Sequence, residues 1–237
     1  LWCQHQSAGM TGNKPHISAG FSFETQEETL DIKPSSARLT IGIPKETALQ
    51  ENRVSLIPEA VSVLVNNGHE VVMETKAGEG SKYSDQDFSD AGAQIVQKKK
   101  DVFKSPVLIK SAPVMEDDIP FLQLNQTIIS PINISMLKKG LVEKMMEKRI
   151  TALGFENIKD DSGTFPIVRS MSEIAGSAAM LIAGQFLGSV NNGKGVLLGG
   201  ISGIPPTKVV IIGAGVVGEF ATRTALAMGA SVKVFDN

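Results

Sequence analysis

The sequence predicts an α/β protein with two doubly wound, Rossmann-like parallel-sheet domains, of which the second is incomplete. From Leu39 onward, short apolar runs alternate with amphipathic stretches, as expected where helices connect parallel strands. Near the end of the chain, an apolar run leads directly into a glycine-rich turn and a further helical stretch. Hydrophobic residues make up 42% and charged residues 20% of the 237 positions, which is ordinary globular usage and excludes a wholly disordered chain.

Changes in composition divide the chain into three predicted segments. Residues 1–38 are polar and aperiodic and lack the apolar segment of a signal peptide, so we expect a poorly structured arm. Residues 39–169 are expected to form the first domain. Residues 170–237 are expected to form an interdomain helix and the first βαβ unit of the second domain. The chain stops at Asn237, directly after a predicted strand, and we expect it to be truncated at this end.

The first domain is predicted to alternate six strands with four helices. Pro58 stands at a first-turn position and Gly68 ends the same apolar stretch, which indicates a helix between them. Asp85 and Asp87 favour a helix that opens at Ser84. The predicted strands cover residues 39–44, 70–73, 94–96, 107–110, 127–131 and 150–155, and the predicted helices cover residues 58–67, 84–90, 115–124 and 135–148.

The second domain opens on a long apolar stretch. Ser170 and Glu173 have the spacing of a capping box ahead of residues 174–190, which predicts a helix that starts at Ser170. The stretch is near the minimum length of a membrane span, but glycines interrupt it and it lacks aromatic or basic flanks at both ends. We therefore expect a packed interdomain helix and no membrane span. A turn, a short strand over residues 196–198 and a Gly/Pro linker are expected to follow.

A strand, a glycine-rich turn and a helix carry the most specific motif in the sequence. Residues 208–212 are an apolar, β-branched run, which indicates a buried parallel strand. The run continues into Gly213-Ala-Gly215-Val-Val-Gly218, a G-x-G-x-x-G pattern. Gly213 permits a tight turn, Gly215 lets a pyrophosphate approach the backbone, and Gly218 lets the helix pack closely on the strand. The pattern predicts a dinucleotide site at the start of a helix.

An acidic residue completes this motif at the end of the next strand. Asp236 follows residues 231–235 and lies 23 positions after Gly213, near the ~20 typical of the carboxylate that binds the ribose 2′-hydroxyl. Its charge would repel a 2′-phosphate, so we expect NAD and not NADP as cofactor. The predicted cofactor-binding residues are Gly213, Gly215, Val216, Val217, Gly218, Asp236 and Asn237.

Charge and cysteine content exclude several other classes of protein. The net charge is −2, so there is no electrostatic case for nucleic acid as the partner. Cys3 is the single cysteine, which excludes an internal disulfide and a cysteine-based zinc cluster. We predict no metal site and a cytoplasmic location.

Several motifs resemble those of the alanine dehydrogenase and pyridine nucleotide transhydrogenase family, with alanine dehydrogenase the more similar. The family resemblance implies a substrate domain over residues 39–169 and an NAD-binding domain after it, joined by long helices. Besides the glycine motif, the segments that carry the resemblance are Ile41-Gly-Ile-Pro-Lys-Glu46, Glu51-Asn-Arg-Val54, Gly68-His-Glu-Val71, Ala77-Gly-Glu-Gly80, Met171-Ser-Glu-Ile-Ala-Gly176 and Gly195-Val-Leu-Leu-Gly-Gly200.

The resemblance also implies three residues of the substrate site. Arg53 matches an arginine that binds the substrate carboxylate, a task that suits a guanidinium fork near the end of a strand. Lys110 matches the first lysine of a Lys-Val-Lys-Glu-Pro type run, and the second lysine of that run corresponds to Ala112. Two interpretations of Lys110 stay open: a substrate ligand, or a lysine that caps the carbonyls of its strand. Asn133 stands where the family has its catalytic histidine. An asparagine cannot exchange a proton near neutral pH, so this position departs from the family pattern.

Three functions remain open from the sequence. The first is an NAD-dependent alanine dehydrogenase-like oxidoreductase that interconverts L-alanine with pyruvate and ammonia, which Met171-Ser-Glu-Ile-Ala-Gly176 favours. The second is the soluble NAD-binding subunit of a proton-translocating transhydrogenase, which Pro205-Pro206 and the missing histidine favour. The third is a non-catalytic nucleotide-binding module. We expect an amino-acid or keto-acid ligand and a homo-oligomer, because apolar sheet faces would be left uncovered. The 237-residue chain alone is expected to be inactive.

Overall fold

A six-stranded parallel sheet dominates the computed structural model, which describes residues 38–133 and 137–237. Apart from residue 38, the predicted arm lies outside the described residues. All six strands predicted for the first domain are present, and the strand order is β3-β2-β1-β4-β5-β6. The strands are β1 (Thr40–Ile43), β2 (Glu70–Glu74), β3 (Gln94–Val96), β4 (Val107–Ile109), β5 (Thr127–Ser130) and β6 (Thr151–Gly154).

This order is that of a doubly wound sheet, and it confirms the predicted fold class. Each neighbouring pair is parallel, for example Ile41 beside Val71 and Ile41 beside Val107. The order reverses between β1 and β4, and open α/β sheets bind ligands at the carboxyl ends of the strands beside such a reversal. The reversal therefore marks the edge of the sheet at which a site is expected.

Helices cover both faces of the sheet. Val71 and Met73 of β2 pack into one apolar cluster with α1 and α2, whereas Val72 between them packs against the cluster that contains α3 and α4. This alternation explains why the strands are apolar throughout. The four helices are α1 (Pro58–Asn66), α2 (Asp85–Asp90), α3 (Lys99–Val102) and α4 (Lys139–Glu147).

The helix predicted over residues 115–124 is absent, and only a single 3₁₀ turn, Ile119–Phe121, forms there. Pro120 cannot donate a helical hydrogen bond, and the Asp118 carboxylate accepts one from the Met115 backbone N–H at 3.0 Å. The segment is therefore held as a turn. The helix predicted over residues 135–148 begins only at Lys139, and residues 134–136 lie outside the described part. The short helix α3 was not predicted.

The long helix α5 (Pro166–Leu187) starts one turn before the predicted position. Pro166 occupies the first turn, where its missing N–H costs nothing. The hydroxyl of Ser170 donates to the Pro166 carbonyl at 3.0 Å, so Ser170 lies inside the helix and does not cap it. No helix within residues 38–133 and 137–237 has the length and apolar character needed to cross a membrane.

The described chain after β6 contains α5, a two-stranded parallel sheet and one helix between its strands. They are β7 (Lys208–Ile212), α6 (Val216–Ala227) and β8 (Ser231–Phe235). The predicted strand over residues 196–198 is absent, because the Val196 N–H is taken by the Leu187 carbonyl of α5. Ile212 is 88% exposed and Phe235 58% exposed, so apolar side chains of this sheet remain uncovered. The second domain is incomplete, as predicted.

Candidate functional site

The glycine motif forms a close turn between β7 and α6, with the geometry that a dinucleotide needs. Gly213 has φ of +103°, which favours glycine. A Cβ on Gly218 would lie 1.9 Å from the Gly213 carbonyl oxygen, so only glycine allows this contact between helix and turn. A Cβ on Gly215 would meet nothing within 4 Å, which leaves open space over the first turn of α6. This combination of a closed turn and an open approach fits a pyrophosphate at the helix N-terminus.

Asp236 lies beside this turn because of the strand register. Ile212 pairs with Phe235, and the Gly213 N–H donates to the Phe235 carbonyl at 2.7 Å. The next residue, Asp236, is exposed, and its Oδ1 accepts from the Asn237 N–H at 3.0 Å. The predicted acidic residue therefore stands next to the glycine turn, where a ribose hydroxyl would follow the pyrophosphate.

A cavity of about 530 Å³ lies at the carboxyl edge of the six-stranded sheet and reaches the second domain. Loops after four strands contribute to it, together with α5 and the first turn of α6. Its walls include Arg53 after β1, Ala112 after β4, Asn133 after β5, Glu156 after β6, Met171 of α5 and Val217 of α6. The structure therefore brings Arg53, Asn133 and Val217, predicted from separate motifs, to one cavity.

Arg53 is held at this cavity by Glu51. Arg53 Nε donates to Glu51 Oε1 at 2.8 Å, and a terminal nitrogen donates to Oε2 at 2.6 Å. These hydrogen bonds lower the pKa of the Glu51 carboxyl and raise that of the Arg53 guanidinium. The Arg53 side chain is 57% exposed, whereas that of Glu51 is only 12% exposed. A guanidinium has five N–H groups, so three lie outside this pair and could bind a ligand carboxylate.

Lys110 does not line the cavity. Its side chain is 1% exposed, and its Nζ lies 2.9 Å from Glu46 Oε2 and 3.3 Å from Asp118 Oδ2. The other oxygen of Glu46 accepts from the backbone N–H groups of Ser111 and Ala112, at 2.6 and 3.2 Å. Lys110 and Glu46 thus support the loop that presents Ala112 to the cavity. The prediction of Lys110 followed its place at a strand end, which does not reveal the direction of its side chain.

Asn133 follows β5 on a loop that a second carboxylate holds. Asn133 is exposed at the cavity, and its carbonyl accepts from the Leu137 N–H at 3.2 Å. Glu156 Oε1 accepts a hydrogen bond at 2.8 Å from the backbone N–H of Ile132, the residue before Asn133. Sequence reasoning missed Glu46, Glu51 and Glu156 as site residues. The first two lie inside the quoted motifs, whereas Glu156 is signalled only by its place directly after a strand.

Within the described ranges, no group of three or more His, Cys, Asp and Glu side chains could hold a metal ion. The polar side chains at the cavity are two carboxylates, an arginine, an amide and the hydroxyls of Ser111 and Ser172. Together with the glycine turn, they suit a small charged organic ligand beside a dinucleotide.

Comparison with known proteins agrees with this arrangement. An alanine dehydrogenase of Staphylococcus epidermidis is 36% identical over 198 residues, which are 84% of this chain and 53% of that protein. Alanine dehydrogenase 2 of Staphylococcus aureus is 35% identical over the same length. The chain thus spans about half the length of the curated relatives it matches.

Two solved structures are also similar over most of the described chain. An L-alanine dehydrogenase has a TM-score of 0.79 and 37% identity, with 84% of this chain and 55% of that chain covered. A transhydrogenase from Sinorhizobium meliloti has a TM-score of 0.71 and 25% identity, with 83% and 56% covered. The family descriptions "Alanine dehydrogenase/PNT, N-terminal domain" and "C-terminal domain" match residues 42–175 and 179–237. This chain belongs to the alanine dehydrogenase/PNT family.

Proposed function

We propose that this chain supplies the substrate-binding domain and the first part of the NAD-binding domain of an alanine dehydrogenase-type enzyme. The reaction would interconvert L-alanine with pyruvate and ammonia. One observation carries the proposal: the cavity that exposes Arg53 also reaches Val217, in the first turn of the helix that follows the glycine motif. A carboxylate ligand bound to Arg53 would therefore share the cavity with one end of a dinucleotide bound at the glycine turn.

The dinucleotide would be held by Gly213, Gly215, Val216, Val217, Gly218, Asp236 and Asn237. The backbone of the turn and the N-terminal N–H groups of α6 would bind the pyrophosphate, while Asp236 would accept from the ribose 2′-hydroxyl. Bound NAD would supply the hydride acceptor for the oxidation of an amino acid. The residues of the chain would bind the two ligands and orient them toward each other.

Arg53 would bind the substrate carboxylate through the N–H groups outside its pair with Glu51. Glu51 would fix the guanidinium, which reduces the rotamer freedom lost on binding. Lys110, first proposed as a substrate ligand, would instead act through Glu46 to hold the loop of Ser111 and Ala112. Asn133 would hydrogen-bond the substrate without taking its proton.

The second candidate is the NAD-binding subunit of a transhydrogenase. It is favoured by Asn133 at the family's histidine position and by the similarity to the Sinorhizobium meliloti transhydrogenase. A transhydrogenase needs no amino-acid site, so the ionic pair at Arg53 would then serve only to shape the loop after β1. Self-association and a cytoplasmic location stay predictions under either function.

L-Alanine-dependent formation of NADH in an active form of the protein tests the first proposal. Turnover that Arg53→Lys weakens and Arg223→Lys leaves unchanged would support it. The Arg223 control lies on the exposed face of α6, where it pairs with Glu219. Binding of NAD without any binding of L-alanine would contradict the dehydrogenase and favour the second candidate. Binding of neither would contradict both.

Asn133→His tests the departure from the family pattern. A general acid or base is typically worth roughly 10²–10⁴ in rate, so restoring the histidine should raise L-alanine turnover in an active form of the protein. Rapid turnover by the unmodified protein, with no gain in the variant, would show that another residue exchanges the proton.

A further inference from the structure

One carboxylate at the cavity wall accepts a hydrogen bond through only one of its two oxygens. Glu156 lies in the 3₁₀ turn Phe155–Asn157, directly after β6, and lines the cavity. Its Oε1 accepts from the Ile132 N–H at 2.8 Å. Its Oε2 is buried and has no hydrogen-bond partner among the residues that the structure describes. The fold therefore fixes the carboxylate and leaves one acceptor unused beside the cavity.

A buried carboxylate oxygen without a hydrogen-bond donor lowers the stability of the fold unless a ligand supplies the donor. Buried charges are normally paired or hydrogen-bonded, and leaving one without a donor forfeits a charge-assisted hydrogen bond. Within the described lining of the cavity, Arg53 is the one cationic side chain, and its bidentate partner is Glu51. The protein groups at this cavity thus do not supply the cation that Glu156 needs.

The two ends of an amino acid match this distribution of charge. Arg53 offers N–H donors to a carboxylate, and Glu156 offers an acceptor to a cation, on loops after β1 and β6 that meet at one cavity. We propose that Glu156 Oε2 binds the α-ammonium group of the substrate. This inference rests on the proposed function, since it takes an amino acid as the ligand. Glu156 would then select amino acids over carboxylic acids that lack the nitrogen.

Isothermal titration of the whole chain with L-alanine and with propionate tests this role. Propionate has the same carbon chain and carboxylate without the ammonium group. The unmodified protein should bind L-alanine roughly tenfold or more tightly than propionate, as expected for a hydrogen bond between charged groups. Glu156→Gln should remove this preference and leave propionate affinity unchanged. The amide oxygen of Gln still accepts from Ile132, so the variant removes charge and keeps that contact.

Two further variants separate a binding role from a structural one. Asp161→Asn removes the same charge from an exposed residue outside the cavity and should keep the preference for L-alanine. Glu156→Asp keeps the charge and shortens the side chain, so it should weaken the binding of L-alanine and leave that of propionate unchanged. This variant replaces Glu156→Gln if Glu156→Gln fails to fold. A thermal melt of each variant checks the fold.

The outcomes distinguish this inference from the proposed function. An undiminished preference for L-alanine in Glu156→Gln would overturn the role of Glu156 and leave the dehydrogenase proposal standing. An equal loss of affinity for L-alanine and for propionate in Glu156→Gln would show that Glu156 only holds the loop of Ile132. That result would also overturn the inference. Absence of binding of both compounds to the unmodified protein would overturn the proposed function and this inference together.

Discussion

Lys110 Nζ lies 2.9 Å from Glu46 Oε2, and both side chains are almost wholly buried, at 1% and 5% exposure. Asp118, which is fully buried, lies 3.3 Å from the same ammonium group and 2.6 Å from Lys99. Glu46 also accepts from the backbone of the loop after β4. The network thus joins the loop after β1 to the loop after β4, at the reversal of strand order where the cavity lies.

Lys110→Met should therefore destabilise the protein strongly. Removing one partner of a buried ion pair leaves an uncompensated charge and typically costs about 3–5 kcal/mol. Urea denaturation followed by circular dichroism measures the change. Lys104→Met is the matched control, because Lys104 is 69% exposed and pairs with Asp101 at the surface, where an ion pair is worth little. Equal stability of the two variants would contradict a supporting role for Lys110.

Gly215→Ala and Gly218→Ala should separate cofactor binding from folding. A Cβ on Gly218 would collide with the Gly213 carbonyl, so this variant should lose about 1–3 kcal/mol of stability as overpacked sites do. A Cβ on Gly215 meets no protein atom within 4 Å, so stability should hold while NAD affinity falls. Thermal melts and NAD titrations of both variants measure the two effects. Unchanged NAD affinity in folded Gly215→Ala would contradict a pyrophosphate at this turn.

Asp236→Ser should relax the preference for NAD over NADP. The substitution removes both the acceptor for the ribose 2′-hydroxyl and the charge that repels a 2′-phosphate. We expect the ratio of the two affinities to change by roughly tenfold, or about 1.4 kcal/mol. Titration with NAD and NADP measures it, with the exposed Glu59→Gln as a control for net charge. Equal affinity for both cofactors in the unmodified protein would already rule out this role.

Arg53→Lys should weaken substrate binding and spare the cofactor. A lysine cannot form a bidentate contact with Glu51 and offers a single ammonium group to a substrate carboxylate. Substrate Kd or KM should rise by about tenfold or more, whereas NAD affinity should hold. A fall in NAD affinity with unchanged substrate binding would show that Arg53 belongs to the cofactor site.

The pair of Glu51 and Arg53 should persist to acid pH. Because the pKa of Glu51 is lowered, the pair contributes fully above the ordinary glutamate value of about 4.3 and is lost as the pH falls through the lower folded value. Nuclear magnetic resonance of the Glu51 carboxyl carbon measures this titration. In Arg53→Met the pKa should return toward its ordinary value. A titration at or above that value in the unmodified protein would contradict the pairing.

The sequence by itself determined the alternation of strands and helices, the glycine motif and the acid that follows it. These features depend on neighbours in the chain: apolar periodicity marks Val107–Ile109 and Thr127–Ser130, and the strand length after α6 places Asp236 at its end. Local patterns predict such elements because their causes are local. The helix predicted over residues 115–124 is absent for a cause that is also local, because Pro120 lacks an N–H and Asp118 accepts from the Met115 N–H three residues earlier.

Only the tertiary structure decided which polar side chains face the cavity. Arg53 and Lys110 both stand near strand ends, yet one lines the cavity and the other is buried on Glu46 and Asp118. Glu156 is no more conspicuous in the sequence than Asp161, but the register of β5 and β6 brings its carboxylate to the Ile132 N–H. The direction of a side chain follows from the pairing and packing of distant segments, which no local pattern of residues records.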